Sequence, residues 1–356
     1  MKNKIFALST LTLALIAASP AWADPAKVIR IGVATVGTGG KPVFGGSSAA
    51  TAATRGLIEE EFKKDGIKVE WNYFKGAGPA VNEALANKLL DFAWQGDLPA
   101  IVAKASGLKT KILLANGTLG TTYLAVPADS PAKKLEDLKG KKVALFKGTN
   151  GQLVVNKVLD QYGLTEKDFK LINMDTATTQ AAIATKDVDG AWFGYDVFQL
   201  VDRGVAKVIW SNKEGPLSLT RQTHFLVTED FEKANPEITQ RVVNVLVRTA
   251  ADISKPENAE KVLQEWSKSG VPYASFKKDY NGGADIKRRS SPLLDEFFYN
   301  HYKDAVQASL KFKLIRKDFD VNQWFEPKYL NQALKEQKLE NFWTAYDAKG
   351  NPKGGK

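Results

Sequence analysis

The sequence predicts an α/β protein built from two successive units of strands and helices. Short apolar runs alternate with helical patterns from Val28 to Ala115, and the same alternation begins again at Tyr123. Such alternation is typical of a sheet covered by helices on both faces. A later strand-like run, Thr223 to Thr228, is predicted to return the chain to the first unit. We therefore expect two α/β lobes.

The first unit alternates strands and helices in a regular order. Short apolar or alternating runs predict strands, whereas longer segments with apolar residues on one side predict helices. Leu57, Ile58 and Phe62 form such an apolar side, opposite a run of acidic residues. The predicted strands are 28–33, 69–74, 91–94 and 111–115, and the predicted helices are 50–64, 81–90 and 98–106.

The second unit repeats this pattern, and the rest of the chain is mostly helical. Predicted strands lie at 123–126, 142–146, 169–173, 190–193 and 205–210, with helices at 135–138, 152–162 and 178–184. After the returning strand at 223–228, helices are predicted at 236–253, 259–267 and 293–310. We expect a first lobe of residues 24–117 and 223–345, a second lobe of 118–222, and a disordered tail at 346–356.

Residues 1–23 have the features of an export signal. Lys2 and Lys4 precede an apolar run, and Ala21 and Ala23 give the small-residue pattern expected before a cleavage site. The run is shorter than the ~20 residues that span a bilayer, which disfavours a membrane anchor. We therefore expect cleavage after Ala23 and a periplasmic mature protein.

The composition excludes several classes of function. The 356 residues include no cysteine, so disulfides, thiolate metal sites and thiol nucleophiles are absent. The net charge of +10 is spread along the chain, without the concentrated basic stripe of a nucleic-acid-binding surface. A positive field can concentrate small anions, although plain solubility explains the charge equally well.

Three glycine-bearing turns are the main candidates for a binding site. Each lies where a predicted strand ends and a helix begins, and helix N-termini attract anions through unpaired amides and partial positive charge. A single such turn is explained by ordinary strand-to-helix linkage, but three turns from two facing lobes would line one cleft. The turns contain Gly76, Ala77 and Gly78; Gln95, Gly96 and Asp97; and Gly148, Thr149 and Asn150.

Two further segments are candidates for the walls of that cleft. The glycine-rich loop at 37–48 offers Thr38, Lys41 as a mobile charge and Phe44 as an apolar wall, unless it is only a flexible surface loop. Trp192 and Tyr195 lie at the end of a predicted strand and would cover a carbon chain, unless they belong to the core.

The chain shows no catalytic or metal-binding motif. Its two histidines are far apart and lack the spacing of metal ligands, so a structural role is favoured for each. His224 is nevertheless a candidate cleft residue, because it lies on the returning strand. We expect no cofactor, no metal and no catalysis.

Five segments resemble the periplasmic substrate-binding proteins of the aliphatic sulfonate, taurine and nitrate importers. They are FKGAGPAVNEAL at 74–85, DFAWQGDLP at 91–99, LKGKKVALFKGT at 138–149, DVDGAWF at 187–193 and FDVNQWFEP at 319–327. The resemblance implies a type II periplasmic binding protein fold, with two α/β lobes joined by a two-strand hinge and a ligand in the cleft. It also implies an ABC permease and its ATPase as partners, and it places the site at the three turns and at Trp192.

The function expected from this resemblance is capture of a small organic anion, with a sulfonate or sulfate ester favoured, by a monomeric importer component. The alternatives are a nitrate or bicarbonate binder, a periplasmic ligand sensor, and an enzyme on the same fold such as a pyrimidine-synthase relative. The long loop at 37–48 and the segment 280–289 depart from the family pattern, which suggests a bulkier ligand.

Overall fold

Two five-stranded mixed sheets organise residues 26–354, the part of the chain that the computed structural model describes. The expected signal segment 1–23 lies outside these residues. The strands are β1 Val28–Val33, β2 Lys68–Tyr73, β3 Phe92–Gly96, β4 Thr110–Ala115, β5 Tyr123–Pro127, β6 Lys142–Leu145, β7 Lys170–Asn173, β8 Gly190–Phe193, β9 Ala206–Ser211 and β10 Thr223–Thr228.

The two sheets have the same design. The first has the order β2-β1-β3-β10-β4 and the second the order β7-β6-β8-β5-β9. In the first, β10 is antiparallel to β3 and β4; in the second, β5 is antiparallel to β8 and β9. The remaining pairs are parallel. Each sheet thus receives one strand from the chain that crosses over from the other.

Two crossing segments connect the sheets and form a hinge. Residues 116–122 lead from β4 to β5, and residues 212–222 lead from β9 back to β10. Gly120 and Arg221 exchange backbone hydrogen bonds of 2.8 and 2.9 Å. The amide of Asn116 also donates to the carbonyl of Thr223 at 3.0 Å. The predicted fold class, two α/β lobes with a two-strand hinge, is confirmed; the lobe boundaries at 117/118 and 222/223 stay predictions.

The helices cover both sheets. They are α1 Ser48–Arg55, α2 Leu57–Phe62, α3 Ala77–Ala86, α4 Asp97–Ala105, α5 Asn150–Gln161, α6 Thr176–Thr185, α7 Phe198–Asp202, α8 Glu229–Ala234, α9 Pro236–Ile253, α10 Ala259–Trp266, α11 Tyr273–Asp279, α12 Ile286–Arg289, α13 Glu296–Lys311 and α14 Lys328–Glu336. We call the lobe that contains β1 the first lobe and the lobe that contains β5 the second lobe. No helix within residues 26–354 combines the length and apolar character needed to cross a bilayer.

The long helix α9 anchors the core of the first lobe. Val242, Val245 and Leu246 are fully buried on one side of α9, as their spacing predicts. Burial of each such side chain stabilises the fold by about 1.5–3 kcal/mol. This core holds the strands whose ends carry the cleft residues.

Among the segments predicted from the sequence, three differ most clearly from the structure. The helix predicted at 50–64 is two helices, because Gly56 adopts a left-handed φ of 65° and ends α1. The helix predicted at 81–90 begins earlier, at Ala77. Up to Gly354, the tail predicted to be disordered lies in a turn against α13, where the amide of Phe297 donates to the carbonyl of Tyr346 at 3.3 Å.

A bridging segment, residues 270–290, joins the first lobe to the second. The ring of Phe276 on α11 packs against Tyr195 of the second lobe at 4.6 Å between centroids. The hydroxyl of Tyr123 on β5 donates to Asp279 at 2.7 Å. The segment follows α10 in sequence, yet it contacts the opposite lobe and reaches the hinge.

Candidate functional site

A cleft of about 620 Å³ lies beside the hinge and receives residues from both lobes. Its lining comes from the first lobe, the second lobe, the crossing segments and the bridging segment. The lining residues include 34–40, 44–46, 75, 77, 78, 94, 96 and 99 of the first lobe, 145, 146, 149–151, 175–177, 179, 180 and 192–196 of the second, and 117, 118, 120, 122, 221, 223, 269, 271, 280 and 289.

Helix N-termini from opposite lobes face this cleft. Gly78 lies in the first turn of α3, Asn150 and Gly151 begin α5, and Thr176 and Ala177 begin α6. Their backbone amides have no acceptor within residues 26–354. Unpaired amides at a helix start are donors for an anion, and the partial positive charge of the helix reinforces them. The sequence did not single out the α6 turn.

The turn before α3 has an unusual backbone. Ala77 adopts a left-handed φ of 52°, although it has a side chain. Such a conformation costs on the order of 1 kcal/mol or more and is concentrated at functional sites. Its own amide donates to the carbonyl of Phe74 at 3.0 Å, which leaves the amide of Gly78 as the free donor.

The N-terminus of α4 is already occupied by a carboxylate of the chain itself. The Asp97 Oδ1 accepts from the amide of Leu98 at 2.6 Å, and Oδ2 lies 2.8 Å from the Nε2 of His301. The Asp97 amide donates to the carbonyl of Gln222 at 3.1 Å. Both Gln95 and Asp97 are buried and absent from the cleft lining, so their prediction as cleft residues differs from the structure. An acid at a helix start satisfies the amides that would otherwise bind a ligand.

His224 also lies inside the first lobe rather than in the cleft. Its Nδ1 contacts the hydroxyl of Tyr302, and its side chain is fully buried. Burial lowers the pKa of His224 to about 3, against a weaker opposing effect of Asp97. Burial likewise lowers the pKa of His301. Both imidazoles are therefore neutral at pH 7. Because successive side chains of a strand point to opposite faces, His224 points away from the side of β10 on which Thr223 lines the cleft.

Glycines allow the two lobes to approach closely. A Cβ at Gly96 would lie 2.7 Å from the Cβ of Asn150 in the opposite lobe. Gly148, with a φ of 75°, faces Pro79 in the same way, at 2.8 Å from its Cγ. Gly148 itself supports the cleft without lining it. Gly96 and Gly148, which were predicted as ligand contacts, thus leave room for the two lobes to approach each other.

The glycine-rich loop contributes part of what was predicted for it. Thr38 and Phe44 line the cleft, and the ring of Phe44 packs on Trp94 at 4.9 Å between centroids. Lys41 is exposed and lies outside the cleft lining, as does Gly76. Of the aromatic candidates, Trp192 and Tyr195 both line the cleft.

Two arginines at the cleft were not predicted. Arg221 lies on the returning crossing segment, and its Nη2 donates to the carbonyl of Thr121. Arg289 lies on α12, pairs with Asp279 at 2.7 Å and covers the ring of Tyr280 at 3.7 Å. The Nε atoms of both arginines are buried without a partner within residues 26–354. The sequence signal was present in the cluster 287–289, but only the fold shows which of its residues turns inward.

Acidic side chains lie close to the basic groups at the cleft. Burial would raise the pKa of Asp279, but Arg289 and the Tyr123 hydroxyl hold it below its usual range. Asp175 pairs across the cleft with Lys75 at 3.4 Å.

A third acid of the cleft, Asp196, forms no ion pair within residues 26–354. Burial raises the pKa of Asp196, which accepts from Gln180 at 2.9 Å and from the Gly194 amide at 3.1 Å. Among residues 26–354, no cluster of side chains is suited to hold a metal ion.

Comparisons with known proteins agree with this architecture. Residues 54–259 match the family model described as NMT1/THI5 like. A solved structure described as the periplasmic sulfonate-binding protein SsuA of a sulfonate ABC transporter from Methylobacillus flagellatus KT is 38% identical. Its TM-score is 0.77, and the match covers 91% of this chain and 99% of that chain.

Two further relatives mark the range of the fold. A protein of Bacillus subtilis strain 168, described as an aliphatic sulfonates-binding protein, is 28% identical over 293 residues, which are 80% of this chain and 84% of that protein. The desulfurization enzyme DSZB shares the fold at 16% identity and a TM-score of 0.65, over 87% of this chain and 99% of that chain. The resemblance inferred from the sequence motifs is confirmed.

Proposed function

Since the chain belongs to the NMT1/THI5-like family, we propose that it is the solute-binding component of an ABC importer and captures an organic sulfonate or sulfate ester in the periplasm. The observation that carries the proposal is the meeting of free helix-start amides from both lobes at one cleft. The names of the sulfonate-binding relatives support the ligand class. A signal segment cleaved after Ala23 and a monomeric mature protein belong to the same proposal.

The mechanism follows from the hinge. The sulfonate oxygens accept hydrogen bonds from the amides of Gly78 in the first lobe and Asn150 and Gly151 in the second. A ligand that contacts both lobes favours the form in which they are close, by the difference between its affinities for the open and closed forms. Closure removes water from the cleft, which strengthens the interaction of the anion with the amide dipoles.

An enzyme on the same fold is the second candidate, because DSZB shares the architecture. Two observations favour binding over catalysis. The chain has no cysteine. Its two histidines are buried neutral in the first lobe and contribute nothing to the cleft lining. Incubation of bound sulfonates with the protein, followed by mass spectrometry, distinguishes the two functions: a binding protein returns them unchanged.

Calorimetric titration tests the ligand class directly. The mature protein, stripped of co-purified ligand, is titrated with alkyl and aryl sulfonates, sulfate esters, nitrate and bicarbonate. We expect micromolar or tighter binding of at least one sulfonate or sulfate ester. Binding of nitrate or bicarbonate alone would replace the sulfonate with a small inorganic anion, and binding of none of these anions would contradict the proposal.

The variant Thr149→Glu tests the position of the anion. Thr149 is the N-cap residue of α5, and its hydroxyl donates to the carbonyl of Phe146 at 2.8 Å. A carboxylate here would occupy the α5 amides as Asp97 occupies those of α4. We expect at least about tenfold weaker sulfonate binding and an unchanged melting temperature. The exposed Thr344→Glu is the control for added charge; unchanged affinity in Thr149→Glu would place the anion elsewhere.

A further inference from the structure

Of the basic side chains that line the cleft, two pair with a carboxylate and one, Arg221, does not. Lys75 pairs with Asp175 at 3.4 Å, and Arg289 pairs with Asp279 at 2.7 Å. Arg221 forms no ion pair within residues 26–354; its guanidinium donates only to a backbone carbonyl, and its Nε is buried without an acceptor. A half-buried guanidinium with an unused donor is a strong site for an oxyanion.

The lining acid Asp196 does not pair with that arginine and has other partners. Asp196 lines the cleft and is held by Gln180 and by the amide of Gly194. Burial raises the pKa of Asp196, against the opposing effects of the Gln180 hydrogen bond and the charge of Arg221. Among residues 26–354, Arg221 is therefore the lining cation that has no carboxylate partner and can pair with one negative charge on a ligand. A second negative charge would meet only cations that already have partners.

Part of the remaining wall is aromatic, and two of its rings come from the segments that depart from the family pattern. The long loop at 37–48 brings Phe44 against Trp94. The segment 280–289 places Tyr280 beside that loop, since a Cβ added at Gly46 would lie 3.1 Å from the Tyr280 hydroxyl. Trp192 and Tyr195 add the wall of the second lobe. A volume of about 620 Å³ is within the ~300–1,000 Å³ typical of pockets for drug-sized ligands, so a ring can enter.

We propose that Arg221 anchors the single –SO3⁻ group of an aromatic ligand, so that the cleft selects aryl sulfonates and aryl sulfate esters over aliphatic sulfonates and over doubly charged analogues. The proposal rests on the function proposed above and names its substrate class. The helix-start amides share the sulfonate oxygens with Arg221, while the ring lies against the aromatic walls.

Matched ligands test the selectivity in the wild-type protein. Calorimetry compares benzenesulfonate with hexanesulfonate, and phenyl sulfate with phenyl phosphate at pH 9, where the phosphate is a dianion. We expect each aromatic monoanion to bind at least about tenfold tighter than its counterpart. Equal affinity for hexanesulfonate would overturn the aromatic selectivity, and equal affinity for phenyl phosphate would overturn the single-charge selectivity.

Variants test the anchor. Arg221→Gln should weaken benzenesulfonate binding at least about thirtyfold, and Arg221→Lys, which keeps the charge without the planar fork, by less. The exposed Arg203→Gln is the control for lost charge, and melting curves without ligand check folding. Full affinity in either Arg221 variant would overturn the anchor. Failure of every sulfonate and sulfate ester to bind the wild type would instead contradict the proposed function itself.

Discussion

Individual polar residues near the strand ends fall into two groups, those that face the cleft and those that complete the interior. Sequence reasoning identified Gly78, Gly96 and Thr149, which the fold brings to one cleft. It placed Asp97 and His224 there as well, because it could not see that α13 supplies His301 and Tyr302 as their partners. Such partners are distant in sequence, so local pattern alone does not reveal them.

The neutral buried histidines make stability depend on pH. Both folded-state pKa values are lowered, so below pH 6.5 the unfolded chain takes up protons that the folded protein does not. The contribution of these histidines to stability is therefore full well above pH 6.5 and declines as the pH falls toward the folded pKa. For His224 alone, we expect a loss of about 1 kcal/mol in the free energy of unfolding between pH 6.5 and 5.5. Urea titrations at each pH measure it.

The double variant His224→Asn/His301→Gln is the comparison for this effect. Both replacements keep a polar atom near the nitrogen that contacts Tyr302 or Asp97 but remove the titrating ring. We expect a flatter dependence of stability on pH over the same interval. The same slope in the variant as in the wild type would mean that other groups cause the decline.

At the level of helices and strands, the periodic patterns predicted the long elements well and the breaks poorly. The buried side of α9 followed directly from its spacing. The break at Gly56 was missed, since a glycine is compatible with a continuing helix until its φ becomes positive. The short helices α11 and α12 were not predicted because tertiary contacts, of α11 with the second lobe and of α12 with α9, hold them rather than their own periodicity.

The contact between β3 and the start of α5 gives a prediction at this scale. Gly96 has extended backbone angles, φ −79° and ψ 166°, which any residue adopts. Gly96→Ala is therefore free of backbone strain, but its methyl group would collide with Asn150 and oppose closure. We expect about tenfold weaker ligand binding, by calorimetry, with little change in the stability of the unliganded protein.

A double-mutant cycle isolates the collision. Asn150→Gly removes the opposing side chain, so the added methyl of Gly96→Ala should cost much less affinity in that background. An equal loss in both backgrounds would show that Gly96 acts through its own strand and not through the approach of the lobes.

For the molecule as a whole, the two-lobed architecture was predictable from two features of the sequence. The alternation of strands and helices occurs twice along the chain, and one later strand returns the chain to the first lobe. The bridging segment was not, as nothing local indicates that residues 270–290 contact the opposite lobe. The contacts of this segment, together with the ion pair between Lys75 and Asp175 across the cleft, show that the lobes lie close together in this structure.

Small-angle scattering tests whether ligand stabilises this form. We expect the radius of gyration to decrease when a bound sulfonate is added, and the liganded profile to fit the present arrangement of lobes better than the unliganded one. Thr149→Glu at the same sulfonate concentration should remain in the more extended form. Identical profiles with and without ligand would argue against hinge closure.

The position of Arg221 has a kinetic consequence. Its side chain lines the cleft while its backbone pairs with Gly120 in the hinge. A ligand held by this guanidinium is therefore attached to the crossing segment about which the two lobes rotate. Dissociation of the ligand then requires that crossing segment to move. Substitutions in the crossing segments should therefore change the residence time of the ligand more strongly than its association rate.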